Sequence, residues 1–359
     1  MAKRIILFFI GLCISGICLF LAFKNVPFND LIQSFSHINY LYISLSIALV
    51  MLSFVLRAIR WKILMSNKVD FYSCFHIMMT GFMLNCIMPA RAGEISRPVL
   101  IDRRGRIDFS EAVASVAVER LFDVIVLLSL FILIYYQITI PETLAYDFGQ
   151  YILNKSLLED FVSGVTKLFM ILFAGILIMA IDKTRELLLK FLNVFESKLY
   201  RVAQLSSFTQ KYISLFCKIT TNPLKSFING FSSGISIIKS VYIFFKVIII
   251  SSAIWLIQGI SYFVVSKAFI GFELGIIEIF FVMLVICFFI AIPSVPGFWG
   301  VWEAGGIFAM MVFGISKADA ASYNLINHVV QIFPVIITGL FSAWRIGLNK
   351  KKSCGVELN

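Results

Sequence analysis

Charge is what this sequence has least of. Of its 359 residues only 14% are Asp, Glu, Lys or Arg, while 60% are apolar; a soluble domain carries about 25% charged residues. Histidine is nearly missing, at three in the chain. The seven cysteines (Cys13, Cys18, Cys74, Cys86, Cys217, Cys287 and Cys354) show no paired metal-type spacing and most sit in apolar runs, which argues against a zinc site and a disulfide framework. No P-loop, G-x-S-x-G or H-E-x-x-H stretch occurs, so nothing supports ATP drive or hydrolysis, and no cofactor or metal is expected. The short alternating segments of a membrane barrel are missing too. The net charge of +11 raises the question of nucleic acid, but in an apolar chain excess Lys and Arg mark cytoplasmic loops; no nucleic-acid partner is expected.

What is present is a series of long apolar runs, near 5–23, 41–57, 71–89, 112–136, 163–181, 241–266, 275–293, 298–315 and 323–344. Several reach the roughly 20 residues that cross a bilayer as helix. The fold class is therefore an all-α polytopic membrane protein, read as one domain over 1–359. The first run lacks an A-x-A cleavage site, which makes it a retained span rather than a signal peptide.

Basic residues assign the sides. Lys3 and Arg4 are inside, and the 24–40 loop is outside. Arg57, Arg60, Lys62 and Lys68 put the end of the second run inside. The stretch after the third run holds Arg91, Arg97, Arg103, Arg104 and Arg106, so it belongs inside as well. One crossing by 71–89 cannot satisfy both ends. The consistent solution is a hairpin, 71–101, that enters from the cytoplasm, breaks at "PARAG" and returns; irregular backbone at that depth needs protein or water around it. The first half then spans about 5–181. A basic cytoplasmic linker covers 182–240, and the second half covers 241–346, with a hairpin at 275–315 that starts and ends outside, re-entrant or fully spanning. Both termini fall in the cytoplasm. Pro89/Gly93 and Pro293/Gly297 share a Pro-x-x-x-Gly spacing, so the halves read as inverted-topology repeats, each with a broken helix pair, and such breaks point to a transport site near the midplane. In the linker, Leu188, Phe191, Leu192, Phe195, Leu199 and Val202 share one helical face, suited to the membrane interface or to packing on the rest of the chain.

Four constellations are able to carry chemistry. At "PARAGEISRP", Gly93 permits a turn, a helix starting near Glu94 aims its N-terminal N–H groups into the break, and Arg91 and Arg97 add the planar forks that suit phosphate; the alternative is an Arg–Glu pair that holds the hairpin shut. In "SVAVERLFDV", Glu119, Arg120 and Asp123 lie within one helical turn of each other, and such groups in a span face the bundle interior, paired, with Arg91 or Arg97 or with substrate. Acid–base catalysis by the two carboxylates lacks a nucleophile, a metal set or a positioned histidine. In "AIPSVPGFWGVWEAGG", Pro293 and Pro296 break the helix, Gly297 and Gly300 permit close approach, and Glu303 stands alone in an apolar run, placed to take a proton, face a cationic headgroup or bond a neighbouring helix. Finally, Asn324, Asn327, His328 and Gln331 make a polar stripe down one face of the last span, a candidate wet groove in which His328 is the titratable member.

Together, "MPARAGEISRP", "VAVERLFDV" and "IPSVPGFWGVWE" resemble the lysylphosphatidylglycerol synthase transmembrane-region family, the flippase-like membrane domain also found in the N-terminal part of the multiple peptide resistance factor. The resemblance covers roughly residues 5 to 346. It implies a lipid-translocating domain with two broken-helix hairpins around a lipid-accessible cavity. The substrate site would comprise Arg91, Gly93, Glu94, Arg97, Glu119, Arg120 and Asp123; the second hairpin, with Pro293, Pro296, Gly297, Gly300 and Glu303, would be its gate. Phe298 and Trp299 stand where the family commonly has a small residue after Pro-Gly, which makes this tip bulkier. No aminoacyl-transfer domain follows the last span, so lysyltransferase activity is not expected. The reading is a transporter of an anionic or polyprenyl-phosphate-linked lipid in a bacterial inner membrane. The alternatives are an accessory subunit that presents lipid to a separate lipid-modifying enzyme, and a membrane-embedded transferase.

Overall fold

The computed structural model describes residues 13, 16–20, 38–88, 91–103, 105, 107–138, 145–148, 151–154, a discontinuous set between 156 and 174, 182–203, 213–214, 217–221, 240–269, 272–291 and 295–354. Pro89, Pro293, Arg104, Arg106 and most of the expected first and fifth spans lie outside them. Nine helices carry the described fold: α1 Tyr40–Leu64, α2 Phe71–Ile87, α3 Ala92–Asp102, α4 Phe109–Tyr135, α5 Asp182–Ala203, α6 Val241–Ser266, α7 Ile276–Phe289, α8 Val301–Met311 and α9 Lys317–Cys354. A single turn of 3-10 helix, Pro296–Phe298, precedes α8, and Cys217–Thr221 is a π-helical turn. Among the described residues, α1, α6 and Lys317–Gly347 of α9 are long and apolar enough to cross a membrane. The 27-residue α4 is long enough as well, but it carries Glu119, Arg120 and Asp123, whose treatment decides the centre of the molecule.

One segment departs from the all-helical expectation. Ala145–Phe148 and Tyr151–Asn154 pair as an antiparallel hairpin, Ala145 opposite Asn154 and Phe148 opposite Tyr151. It falls in the polar connection after α4, where the backbone has water to satisfy it and is free of the bilayer's demand for helix. The membrane fold itself is all-α.

The helix starts are written locally. Asn39 caps α1 by accepting from the Leu41 N–H, and the Asp70 carboxylate accepts from the Ser73 N–H at 2.9 Å to start α2. At the surface, Lys68 meets Glu111 at the foot of α4, 2.7 Å away with 49% of the lysine side chain exposed. Because exposed pairs contribute little, Glu111→Gln is expected to cost less than about 1 kcal/mol in thermal unfolding.

α1 and α6 are antiparallel partners at the centre. Their polar contacts recur down one seam: the Asn39 N–H to the Ala268 carbonyl at 3.0 Å, the Ser46 hydroxyl to the Ser261 carbonyl at 3.0 Å, the Ser53 hydroxyl to Gln258 at 3.3 Å, and Arg60 to the Ser251 hydroxyl at 2.8 Å. On α1 these residues are seven apart, two turns of helix, so they form one stripe, and small Ser side chains let the backbones come close. Around this pair the order of packing is the same in both halves. α2 lies on α1 and α7 on α6, α3 lies on α2 and α8 on α7, α4 closes on α3 and α9 on α8. Two of the four pairs also match in length, 25 and 26 residues for α1 and α6 and 11 each for α3 and α8, whereas α2 and α7 have 17 and 14 and α4 and α9 have 27 and 38.

The arms of the first hairpin are locked by glycine. A Cβ on Gly93 would run into the Gly81 carbonyl and the Asn85 side chain, and the Gly93 N–H donates to Asn85 Oδ1 at 2.8 Å.

Candidate functional site

Arg57 and Arg60, read from the sequence as markers of a cytoplasmic loop, are buried inside the bundle, 6% and 0% exposed. The reason is that α1 continues to Leu64; a run of 41–57 alone falls short of a bilayer's thickness. The sequence therefore held a signal for these two residues, in a span too short unless it took its arginines with it.

They meet the acids of α4. Arg60 Nη1 and Nη2 donate to the two oxygens of Asp123 at 2.6 and 3.1 Å, a bidentate fork. Arg97, from α3, makes the same fork on Glu119 at 3.1 and 2.7 Å with its guanidinium stacked 4.2 Å from the Trp61 ring. Arg120 donates to Glu119 at 2.5 Å and lies 3.6 Å from Asp123. Trp255 of α6 donates its indole N–H to Asp123 at 3.0 Å. Arg57 is different. Its nearest carboxylate oxygen is that of Asp123 at 3.9 Å; it makes no hydrogen bond to a described residue, and it rests over Trp255, Phe54 and Phe82 at 5.0 to 5.9 Å.

The cluster does not balance. Among the described residues four arginines (Arg57, Arg60, Arg97, Arg120) face two buried carboxylates (Glu119, Asp123), with the half-buried Glu94 also acting on Arg120, so positive charge is in excess. The Nε of all four is buried without a partner among the described residues. Uncompensated charge in a low-dielectric interior is costly, so the arrangement favours an anion. Three guanidiniums, those of Arg57, Arg97 and Arg120, lie 5.8 to 5.9 Å from the ring of the half-buried Phe82, and the Arg120 side chain is 32% exposed.

The residues expected to form one phosphate cradle at the first break are thus separated. Arg97 is spent on Glu119, and the Gly93 N–H is spent on Asn85. Arg91 is exposed in the left-handed region at φ 51, within 4.0 Å of Glu94, and donates across the molecule to the Ile290 carbonyl at 2.9 Å. That bond joins the first hairpin tip to the second. The turn Pro296–Phe298 packs on α2; a Cβ added to Gly297 would meet the Trp299 ring and, at 3.4 Å, the Cys86 carbonyl. The second tip is strained in the same way: Phe298 has φ 62, beside Gly297 at 76 and Gly300 at 89. Non-glycine residues held there are uncommon and gather at functional sites.

Glu303 is not isolated. Its Oε1 lies 2.5 Å from His328 Nδ1, and its Oε2 accepts the Gly300 N–H at 2.7 Å. His328 Nε2 lies 2.8 Å from the Gly297 carbonyl, and the imidazole is held between Trp299 and Trp302, centroids 4.3 and 4.6 Å away. The expected polar stripe of α9 is buried throughout, with Asn324, Asn327 and His328 at 0% and Gln331 at 6%. Gln331 bonds Ser261, Asn327 and Gln258, and Gln258 meets Ser53. Gln258, Trp255 and Ser251 were absent from the expected site; only the pairing of α6 against α1 reveals them. His76 bonds Ser342 at 2.9 Å and is a packing residue.

Among the described residues no group of three metal-ligating side chains occurs. Comparison with curated proteins finds no match. The sequence profile of one family, described as lysylphosphatidylglycerol synthase TM region, matches residues 8–339, most of the chain. With apolar helices, paired interior charges and that match in hand, the chain is a membrane protein that belongs to the lysylphosphatidylglycerol synthase TM region family.

Proposed function

We propose that the protein carries an anionic or phosphate-linked lipid between the leaflets of a bacterial inner membrane, with its headgroup phosphate seated against Arg57 and Arg120 beside Phe82. The observation that supports this reading is the excess of positive charge in the cluster, with Arg57 buried and, among the described residues, without a hydrogen bond. A lipid phosphate supplies the missing counter-charge and the acceptors, and Glu119 and Asp123 hold the cluster together when no headgroup is there. This moves the headgroup from Arg91 and Arg97, where the sequence alone put it, to the arginines left unsatisfied once the bundle closes.

The same reading takes α1–α4 and α6–α9 as inverted repeats, and α2–α3 and α7–α8 as re-entrant hairpins entering from opposite sides. Its support is the matched lengths of α1 with α6 and of α3 with α8, the antiparallel α1–α6 pair, and the contact of the two tips through Arg91 and Gly297. It also lays α5 on the cytoplasmic interface, since Leu187, Phe191, Val194 and Phe195 are exposed along it.

The test uses purified protein in liposomes with tail-labelled phosphatidylglycerol or phosphatidylcholine, and reads how fast label reaches the leaflet open to a membrane-impermeant quencher. Wild type is expected to move the anionic lipid faster. Arg57→Gln is expected to lower that rate roughly tenfold, the effect of one charge-assisted hydrogen bond, while it remains folded because no hydrogen bond of Arg57 is broken. An unchanged rate in Arg57→Gln, or equal rates for the two lipids, would remove the headgroup assignment. No movement of either lipid would favour the accessory-subunit reading instead.

A further inference from the structure

The Glu303–His328 contact fixes its own proton count. The Gly297 carbonyl can only accept, so His328 Nε2 carries a hydrogen; the Gly300 N–H donates, so Glu303 Oε2 accepts. What remains is Nδ1 facing Oε1 at 2.5 Å. Two bare lone pairs do not hold that separation. One proton must lie between them, and the pair is then neutral overall, whether written as imidazolium and carboxylate or as imidazole and carboxylic acid. Both groups are fully buried, and both also hold the backbone of the second tip, at Gly297 and Gly300. Removal of that proton leaves a lone pair against a carboxylate and a net negative charge with no water to receive it.

We infer that the Glu303–His328 pair is a proton-binding site that latches the second hairpin tip to α9, and that its release couples lipid movement to a proton gradient. The coupling rests on the transport reading above; the proton site does not. Loaded, the pair clamps Gly297 and Gly300. When the proton leaves from Nδ1 or Oε1 to water on the side that opens, the clamp repels itself and the tip comes free. Because the latched state binds one more proton than the released state, acid favours the latched state and alkali the released one.

Among the described residues the neighbours are neutral apart from Arg91 at the first tip. α6 brings Tyr262, its ring stacked on Trp302. α7 brings Cys287, next to Tyr262, and α2 brings Cys86, whose carbonyl faces Gly297. The first tip brings Arg91 through the Ile290 carbonyl. On α9 the adjoining Asn324, Asn327 and Gln331 are neutral, and Lys317 and Asp319 sit at the far start of the helix. A polar track runs from that stripe to the arginine cluster: Gln331 to Gln258, Gln258 to Ser53, and Ser53 lies one turn from Arg57 on α1, with Trp255 under Arg57 and on Asp123. The track comes within one helical turn of His328 at Gln331 and within one turn of Arg57 at Ser53.

The chemistry separates two substitutions that delete the same carboxylate. In Glu303→Gln the amide oxygen still accepts from the Gly300 N–H and the amide N–H donates to His328 Nδ1, which imitates the loaded pair permanently. Glu303→Ala has no clamp at any pH. In the liposome assay with labelled phosphatidylglycerol, wild type is expected to respond to an imposed pH step. Glu303→Gln should be slow, by roughly tenfold, and Glu303→Ala fast, and neither should respond to the step. A wild type that transports but ignores the step, or a Glu303→Gln that still follows it, overturns the coupling and leaves the transport reading standing. If wild type moves no lipid, the transport reading fails and the proton site is decided separately. Trp299 and Trp302 flank His328, so tryptophan emission from protein in lipid discs is expected to change with pH in wild type and to stay flat in Glu303→Gln. The same emission profile in both proteins overturns the proton site.

Discussion

Asp123→Ala is expected to be among the most damaging single substitutions in the chain, costing about 3–5 kcal/mol. The carboxylate it removes takes both donors of the Arg60 fork and the Trp255 N–H, and it lies near Arg57 and Arg120. Without it four buried or half-buried arginines keep Glu119 as their one buried carboxylate among the described residues, with the half-buried Glu94 beside Arg120. Hydrogen bonds lost in water are replaced by water; here the guanidinium of Arg60, 0% exposed, keeps only the Ser251 hydroxyl and Glu119 at 3.6 Å. A thermal midpoint in detergent that falls by several degrees, with loss of monodispersity, is the expected result. The double variant Arg60→Leu/Asp123→Leu should recover part of that loss, because removal of both partners deletes the stranded charge. If the single and double variants are equally unstable, packing around Asp123 rather than its charge explains the loss.

The second large effect is expected at a glycine. In Gly93→Ala the added methyl meets the backbone carbonyl of Gly81 and the Asn85 side chain that holds the Gly93 N–H. A side chain can rotate away; a carbonyl inside α2 cannot. The two arms of the hairpin must separate, and Arg97, whose stem lies against Gly81, is carried off the Glu119 fork. Overpacking alone costs about 1–3 kcal/mol, and loosening of a buried ion pair adds to it, so a loss of about 3 kcal/mol or more is expected, with transport falling in parallel. Gly347→Ala is the control: its added methyl meets nothing within 4 Å and, in a helix, alanine is the better residue by about 1 kcal/mol. Equal midpoints for Gly93→Ala and Gly347→Ala would show that the hairpin arms are not in contact as described.

Much of this architecture was legible in the residues. The run expected at 241–266 is α6, Val241–Ser266, and the run at 71–89 is α2, Phe71–Ile87, because apolar length is a one-dimensional property that a sequence displays directly. The interior charges were legible only as residue types. Glu119 and Asp123 announced that they needed partners, but their partners come from α1 and α3, and Arg57 and Arg60 look like any basic residues at the end of a span until the helix is seen to run to Leu64. Glu303 and His328 are 25 positions apart on different helices, a separation with no periodic signature. The seven-residue spacing of Asn39, Ser46, Ser53 and Arg60 was available and would have named the seam between α1 and α6.

The bond between Arg91 and the Ile290 carbonyl joins residues 199 positions apart, and this has a consequence for how the protein is made. A ribosome adding about 5–20 residues per second completes the first tip roughly 10 to 40 s before Ile290 exists. Through that interval α2 and α3 exist without that bond, and among the described residues Glu94 is the charged neighbour of the tip's guanidinium. Nascent chains arrested before residue 290 are therefore expected to be more sensitive to proteolysis near the first tip than the complete chain.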